Sequence, residues 1–349
     1  MSERLEQRIE RFLRTGEGDF EPLALELFAY QFERNVPYQA FCKASGRVPG
    51  EVSRWSDIPA VPISAFKSSE LATFPIGQSA AVFHSSGTTQ KTPSRHFLKT
   101  LTYYETSLVS GFDRWVLEGR TSIPFFLLAP SPGEAPHSSL SWMLEVVKRK
   151  WGAPGSDTFV QRGNVQDWQI FRALSAYEAL GKPVILLGTT LAFLTLFDQC
   201  VKQQKTFRCP PGSRLMDTGG MKTQTRQVSR EEFLRHVWSY LGIPEADCIN
   251  EYGMCEMSSQ FYARGASPVF QGPRWVRTLI IDPESGEPAA AGRDGLLRHY
   301  DLANVDSVLG IQTEDTGELR PEGFVLKGRA KTAELKGCSF DMEAYLRRQ

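Results

Sequence analysis

The chain has 349 residues, with 40 Lys and Arg against 40 Asp and Glu, and so carries no net charge at pH 7. That balance argues against a nucleic-acid-coating or anionic-membrane-binding protein, both of which need a basic excess. With 41% hydrophobic and 11% aromatic residues the chain has apolar surface for a sizeable core, roughly two domains by length, which excludes general disorder.

The N-terminal stretch mixes Glu and Arg among Leu5, Ile9, Phe12 and Leu13, the spacing of an amphipathic helix rather than of a secretory leader. Pro22 suits the first turn of a second helix carrying Leu23, Leu27, Phe28 and Phe32. A proline-punctuated segment (Pro49, Pro59, Pro62, Pro75) leads to a strand expected over Ala80 to His84, then to the hydroxylic loop Ser85-Ser86-Gly87-Thr88-Thr89. Helices are expected over Leu101 to Glu118, Ser139 to Trp151 and Val165 to Leu180, with strands Ile123 to Ala129 and Val184 to Gly188 between them. Both strands are apolar on successive residues, as a sheet covered on both faces requires. A further strand, Arg214 to Asp217, ends in Thr218-Gly219-Gly220. The capping box Ser229-Arg230-Glu231-Glu232 starts a helix running to about Leu241, and Cys248 to Tyr252 reads as another strand. From Trp275 onward β-like runs and Gly/Pro turns dominate.

This alternation predicts an α/β fold. Phe125, Phe126, Trp142 and Trp238 are expected in the core, and Leu186 to Phe197 is core or the wall of an acyl pocket. No apolar run approaches the ~20 residues of a membrane span. The six cysteines, Cys42, Cys200, Cys209, Cys248, Cys255 and Cys338, contain no CxxC pair. Neither structural zinc nor a disulfide scaffold is therefore expected, and the thiols read as reduced in a cytoplasm.

Three loops that follow strands carry chemistry. The hydroxylic loop offers four hydroxyls and one glycine, with Lys91 and Arg95 beyond it, at what reads as a strand-to-helix turn that favours phosphate. It lacks the G-x-x-x-x-G-K-[ST] of the P-loop, and a Ser/Thr-rich loop is also an ordinary turn. Gly219-Gly220 lets a flat ligand approach the backbone, or simply turns the chain. In Asn250-Glu251-Tyr252-Gly253-Met254-Cys255-Glu256, a carboxylate beside a tight glycine turn could hold Mg²⁺ through one ligand, or be a solvated acidic loop.

The order of these loops, followed by Glu314-Asp315-Thr316-Gly317 and Gly328-Arg329, is similar to the series in adenylate-forming enzymes, which activate a carboxylic acid with MgATP as acyl-AMP. The chain resembles in particular the acyl-protein synthetase (LuxE) family, long-chain fatty acid–luciferin-component ligases. The matching stretches are Val61-Pro62-Ile63-Ser64-Ala65-Phe66-Lys67, the hydroxylic loop, Asn250 to Ser259, and Gly328-Arg329-Ala330-Lys331 through Lys336-Gly337-Cys338-Ser339. The resemblance implies a large α/β domain of sub-sheets flanked by helices over residues 1–329, and a strongly shortened C-terminal domain, 330–349, carrying Cys338.

It further implies that Ser85, Ser86, Gly87, Thr88 and Thr89 grip the β- and γ-phosphates of ATP. Gly219 and Gly220 would line the adenine, with Tyr252, beside Gly253, stacked on it. Glu256 would hold Mg²⁺, Asp315 the ribose hydroxyls, and Arg329 the ribose or a phosphate. Cys338 would accept the acyl group of a carboxylic acid, a fatty acid by the resemblance, as a thioester and deliver it to a reductase or carrier-protein partner. A thiolate suits that step, and Lys331 and Lys336 would lower its pKa. The implied cofactors are ATP and Mg²⁺. Departures are Cys255 in place of the usual threonine, Gln90 in place of a glycine, and only 20 residues after Arg329, too few for a swinging domain and its lysine. Two alternatives stay open: an acyl-CoA or carrier-protein ligase of the phenylacetate–CoA ligase type, and a non-catalytic nucleotide- or partner-binding homologue.

Overall fold

The computed structural model describes residues 3–85, 92–219 and 228–330. They belong to two compact units, one drawn from Met1–Ser110, Met254–Gln260 and Val269–Gln349, the other from Gly111–Gly253 and Phe261–Pro268.

In the first unit five antiparallel strands lie in the order Val269–Phe270, Gly323–Arg329, Gly310–Arg320, Asp294–Asp301, Val276–Ile281, and Val61–Pro62 joins parallel to Gly310–Arg320. Helix Glu3–Thr15 buries Leu5, Ile9, Phe12 and Leu13, the stripe its spacing predicts. The next helix, Phe20–Arg34, starts before Pro22: Asp19 caps it by accepting from Glu21 N at 3.2 Å. Pro22 therefore sits inside the first turn, where its missing N–H would have had no helical acceptor. Gln31 of this helix is fully buried and holds the turn after Asp294–Asp301. Its Nε2 donates to Asn304 O at 2.8 Å and its Oε1 accepts from Leu309 N at 2.8 Å. An unpaired buried backbone group costs ~1–3 kcal/mol, so one side chain does here what a ladder does elsewhere.

The hydroxylic loop departs from expectation. The chain on its far side, Arg95–Leu98, is a strand that pairs antiparallel with Ala81–His84, His84 facing Arg95. The loop thus lies between two paired strands rather than between a strand and a helix. The regular helix, Thr102–Phe112, begins only after that second strand.

The second unit holds a six-stranded sheet in the order Phe261–Arg264, Cys248–Tyr252, Arg214–Thr218, Ile185–Thr189, Phe125–Leu128, Asp157–Thr158. All pairs are parallel except at the Phe261–Arg264 edge. Phe126, Leu128, Leu186, Leu215 and Cys248 form one apolar cluster with Phe193, Leu194, Leu196 and Phe197 of helix Thr190–Lys202 and Phe233 and Val237 of helix Arg230–Leu241. At roughly 1.5–3 kcal/mol for each fully buried Leu, Val or Phe, this cluster locks helices to sheet. Most of Leu186 to Phe197 is accordingly core. Gly188 allows two strands to close up, since a Cβ there would lie 2.6 Å from Leu128 O.

Helix Arg230–Leu241 opens as its capping box predicts, Ser229 Oγ accepting from Glu232 N at 3.1 Å. Trp238 is not core. The helix turns Phe233, Leu234, Val237 and Leu241 inward, which leaves Trp238 59% exposed beside Arg235 and Pro244 in an open groove of about 550 Å³. Phe125 and Phe126 are fully buried and Trp142 is half-buried. The helix expected to reach Glu118 is regular only to Phe112 and continues as a π-helical turn, Asp113–Leu117. There the buried Arg214 bonds the Val116 carbonyl, where helical donors have run out, and pairs with Glu118 at 2.6 Å and Asp247 at 3.3 Å. Among the described residues no helix is long and apolar enough to cross a membrane.

Candidate active site

In the second unit three parallel strands end side by side, at the edge where open α/β sheets bind ligands. Their register sets Asn250 beside Asp217 and Glu251 beside Thr218, which brings Tyr252 level with Gly219. Asp217 has no exposed surface and accepts from Thr190 Oγ1 at 2.9 Å, Asn250 Nδ2 at 3.0 Å and Arg230 Nη1 at 2.6 Å. Glu251 lies on the opposite face of its strand and accepts from the Thr218 hydroxyl. Burial pushes its carboxyl up to about 7; the Thr218 hydroxyl opposes that rise and the charge of Asp217 adds to it.

Gly219 has a φ of +99°, a conformation glycine alone adopts freely, and a Cβ there would meet none of the described residues within 4 Å. The backbone turn demands this glycine. Tyr252 is buried at the end of its strand, its ring 6.0 Å from that of Phe261.

In the first unit the neck of the hydroxylic hairpin is closed by Ser85. Its N–H donates to Ser94 O at 3.2 Å and its Oγ accepts from Ser94 N at 3.0 Å. Arg95 holds its guanidinium 5.4 Å from the Phe97 ring centre. Ser86, Gly87, Thr88, Thr89, Gln90 and Lys91 lie outside the described residues, as do Gly220, Lys331, Lys336 and Cys338.

Glu256 does not sit on a solvated loop. It is only 5% exposed, and the neighbouring Cys255 is buried with it. Burial first, and then the Glu256 carboxylate to which the thiol donates, raise Cys255 far above the usual thiol range. The main chain here is held by side chains rather than by a ladder. His96 Nδ1 donates to Cys255 O at 2.8 Å, and Asn304 Nδ2 donates to Glu256 O at 2.9 Å. Asn304 Oδ1 and Asp301 Oδ2 accept from Ser258 N at 2.9 and 3.1 Å. Burial pushes His96 down to about 4. The ring is therefore neutral near pH 7, and the nitrogen facing a carbonyl is the one that carries the proton.

Asp315 and Arg329 face each other on neighbouring strands, Arg329 Nε 3.7 Å from Asp315 Oδ1. An exposed guanidinium beside a shielded carboxylate suits a ligand bearing both hydroxyls and negative charge. Among the described residues no three of His, Cys, Asp or Glu gather into a metal cage. A single buried carboxylate such as Glu256 fits an ion that takes its other ligands from water and phosphate, as Mg²⁺ does.

His96 and Asn304 stand outside the residues the motifs single out, and Asp217, which opens the Gly219-Gly220 loop, has no role there by sequence. Asp217 alone carried a signal: a charge inside a strand whose neighbours are buried on both faces.

The profile of the acyl-protein synthetase, LuxE, family matches residues 18–346. The chain belongs to that family. A curated LuxE-type relative, the long-chain-fatty-acid–luciferin-component ligase of Aliivibrio fischeri, is 22% identical over 338 residues, 92% of this chain and 86% of the relative. Among solved structures, 2-hydroxyisobutyryl-CoA ligase in an open conformation with 2-HIB-AMP and CoA matches with a TM-score of 0.66 and 12% identity, over 88% of this chain and 69% of that one. ATP-bound MatB from Rhodopseudomonas palustris matches with a TM-score of 0.53 and 15% identity, over 74% of this chain and 49% of that one. The fold is that of the adenylate-forming enzymes, and membership of the LuxE family makes the protein an AMP-forming ligase.

Proposed function

We propose that the protein is an ATP-dependent acyl-protein synthetase acting on a fatty acid. In the first half-reaction a carboxylate oxygen attacks the α-phosphorus of ATP, and the bond to pyrophosphate breaks, leaving acyl-AMP. In the second a cysteine thiolate attacks the acyl carbonyl and AMP departs, leaving a thioester for delivery to a reductase partner. The family match over residues 18–346 carries this proposal, because it spans every loop concerned.

The geometry supports roles for this chain's own residues. The strand end at Gly219, level with Tyr252, would receive the adenine, a role in which Gly220 and Gly253 would join them. Asp315 would accept from the ribose hydroxyls and Arg329 would meet ribose or phosphate. Ser85 to Thr89 would hold the β- and γ-phosphates, and Glu256 a Mg²⁺ ion, which when bound supplies charge neutralisation on the phosphates. In-line displacement needs such positioning and neutralisation more than covalent help.

Cys338, in a tail of residues 330–349 following the adenylate-forming domain, is the proposed acyl acceptor. Burial supports this indirectly. It pushes Cys42, Cys200, Cys209 and Cys248 up to about 12, and Cys255 higher, so all five are protonated and poorly nucleophilic at neutral pH. Acid-dependent release of pyrophosphate from ATP, over carboxylic acids of graded length, tests the first half-reaction. Release with at least one acid is expected; a protein that binds MgATP yet releases none with any of them would contradict the proposal.

A further inference from the structure

We infer that Asn304 is a positioning residue whose side-chain amide fixes the main chain on both sides of Met257, and so sets where the Glu256 carboxylate stands. This deepens the function proposed above and rests on its assignment of a Mg²⁺ ion to Glu256. Asn304 lies in the turn after Asp294–Asp301 and has no exposed surface. Its Nδ2 donates to Glu256 O at 2.9 Å, and its Oδ1 accepts from Ser258 N at 2.9 Å. The turn and the Glu256 segment both belong to the first unit.

One amide thus brackets one residue, donating to the carbonyl before Met257 and accepting from the N–H after it. The backbone of a neighbouring parallel strand would make the same pair of bonds, so Asn304 stands in for a ladder where residues 253–260 form none. The amide is fixed end for end. Its Nδ2 also donates to Val308 O at 3.2 Å, so reversing the group would set its oxygen against two carbonyls and its NH2 against an N–H. The turn that carries it is held as firmly. Asn304 N donates to Asp301 O at 3.0 Å, and Gln31 Nε2 donates to Asn304 O at 2.8 Å. Asp301 extends the grip, accepting from Ser258 N at 3.1 Å, Ser259 N at 2.8 Å and Ser259 Oγ at 2.8 Å.

A glutamate reaches an ion through several side-chain torsions, so the fold directs its carboxylate first through the Cα and the peptide planes that meet there. The Glu256 carbonyl shares a rigid plane with the Glu256 Cα, and Asn304 holds that carbonyl. An apolar side chain of similar size would fill the space but leave Glu256 O and Val308 O without this donor. Groups that orient a metal ligand from outside its coordination shell contribute about 10- to 100-fold in metal affinity or activity.

The test compares Asn304→Ala with Asn35→Ala in the full-length protein. Asn35 donates to Ser307 O at 3.2 Å and caps helix Val36–Ala44, so its loss loosens the same turn without touching Glu256 or Ser258. Three quantities are read: the thermal midpoint without ligand, the further rise that Mg²⁺ gives over ATP alone, and kcat and the acid KM for pyrophosphate release. Both variants should lower the unliganded midpoint. Asn304→Ala should also shrink the Mg²⁺-dependent rise and lower kcat by about 10-fold or more, with KM for the acid unchanged. Asn35→Ala should keep the Mg²⁺-dependent rise and kcat of wild type. An Asn304→Ala protein that loses only unliganded stability overturns the inference, as does an Asn35→Ala protein that loses the Mg²⁺-dependent rise to the same extent. Should Asn304→Ala fail to fold, Asn304→Ser, which keeps a hydroxyl in the same space, is judged by the same criteria. Amide exchange on wild type needs no variant: Ser258 N–H should be protected before MgATP is added, and protection that comes only with MgATP overturns the inference. Wild-type protein that releases no pyrophosphate, or a Glu256→Gln variant with the full Mg²⁺-dependent rise, would instead remove the metal role proposed above, and this inference with it.

Discussion

Replacing Glu251 by Gln should stabilise the protein at alkaline pH and leave it nearly unchanged in acid. The Glu251 carboxyl is 5% exposed, and burial moves it from an ordinary 4.5 up to about 7 in the folded chain. The folded state therefore favours the protonated form. Stability is whole below the unfolded value of 4.5 and is lost as pH rises through the folded value of about 7. At about 1.4 kcal/mol per pH unit, the ionised group costs the fold roughly 3 kcal/mol by pH 8. Gln is the shape of the neutral carboxyl and can still accept from the Thr218 hydroxyl, so Glu251→Gln removes that cost. Near pH 4.5 the gain should shrink to about 0.5 kcal/mol or less. Thermal unfolding of both proteins across this range is the assay, with a rise at pH 8 of about 4 °C if the whole chain unfolds together. An equal shift at both ends of the range, or a lower midpoint for the variant at pH 8, would refute the reasoning.

Asp217→Ala leaves the Arg230 guanidinium facing an empty buried site and should cost about 3–5 kcal/mol, read as a fall in thermal midpoint. A loss within about 0.5 kcal/mol, the range of ordinary surface changes, would mean that the pair is not buried as described. Glu256→Gln should reduce pyrophosphate release by about 100-fold or more, as loss of a group that neutralises transition-state charge does. The same variant should keep its unliganded thermal midpoint, so release at the wild-type rate would remove Glu256 from the metal role.

Elements decided by neighbouring residues were legible in the sequence. Helix Ser139–Trp151 and strand Cys248–Tyr252 fall on their expected bounds, the helix with Ser138 accepting from Ser141 N at its start. What depends on distant partners was not. Arg95–Leu98 is only four residues long, and its state is set by pairing with Ala81–His84 across the hydroxylic loop. The π-helical turn at Asp113–Leu117 meets an arginine 98 residues further on. The exposure of Trp238 follows from which face of its helix meets the sheet, a choice made by the cluster as a whole. The candidate site divides in the same way. Local motifs pointed to Tyr252, Glu256 and Asp315, but the main chain around Glu256 is held by His96, Asp301 and Asn304, which no local pattern connects to it.

Intact-protein mass spectrometry tests the central claim most directly. Wild type and Cys338→Ser would each be incubated with MgATP and carboxylic acids of graded length, and pyrophosphate followed in the same tubes. The account predicts a hydroxylamine-labile acyl adduct on wild type only, with pyrophosphate released by both proteins. Full thioester labelling of Cys338→Ser, or pyrophosphate release from wild type with no adduct under any acid, would contradict it.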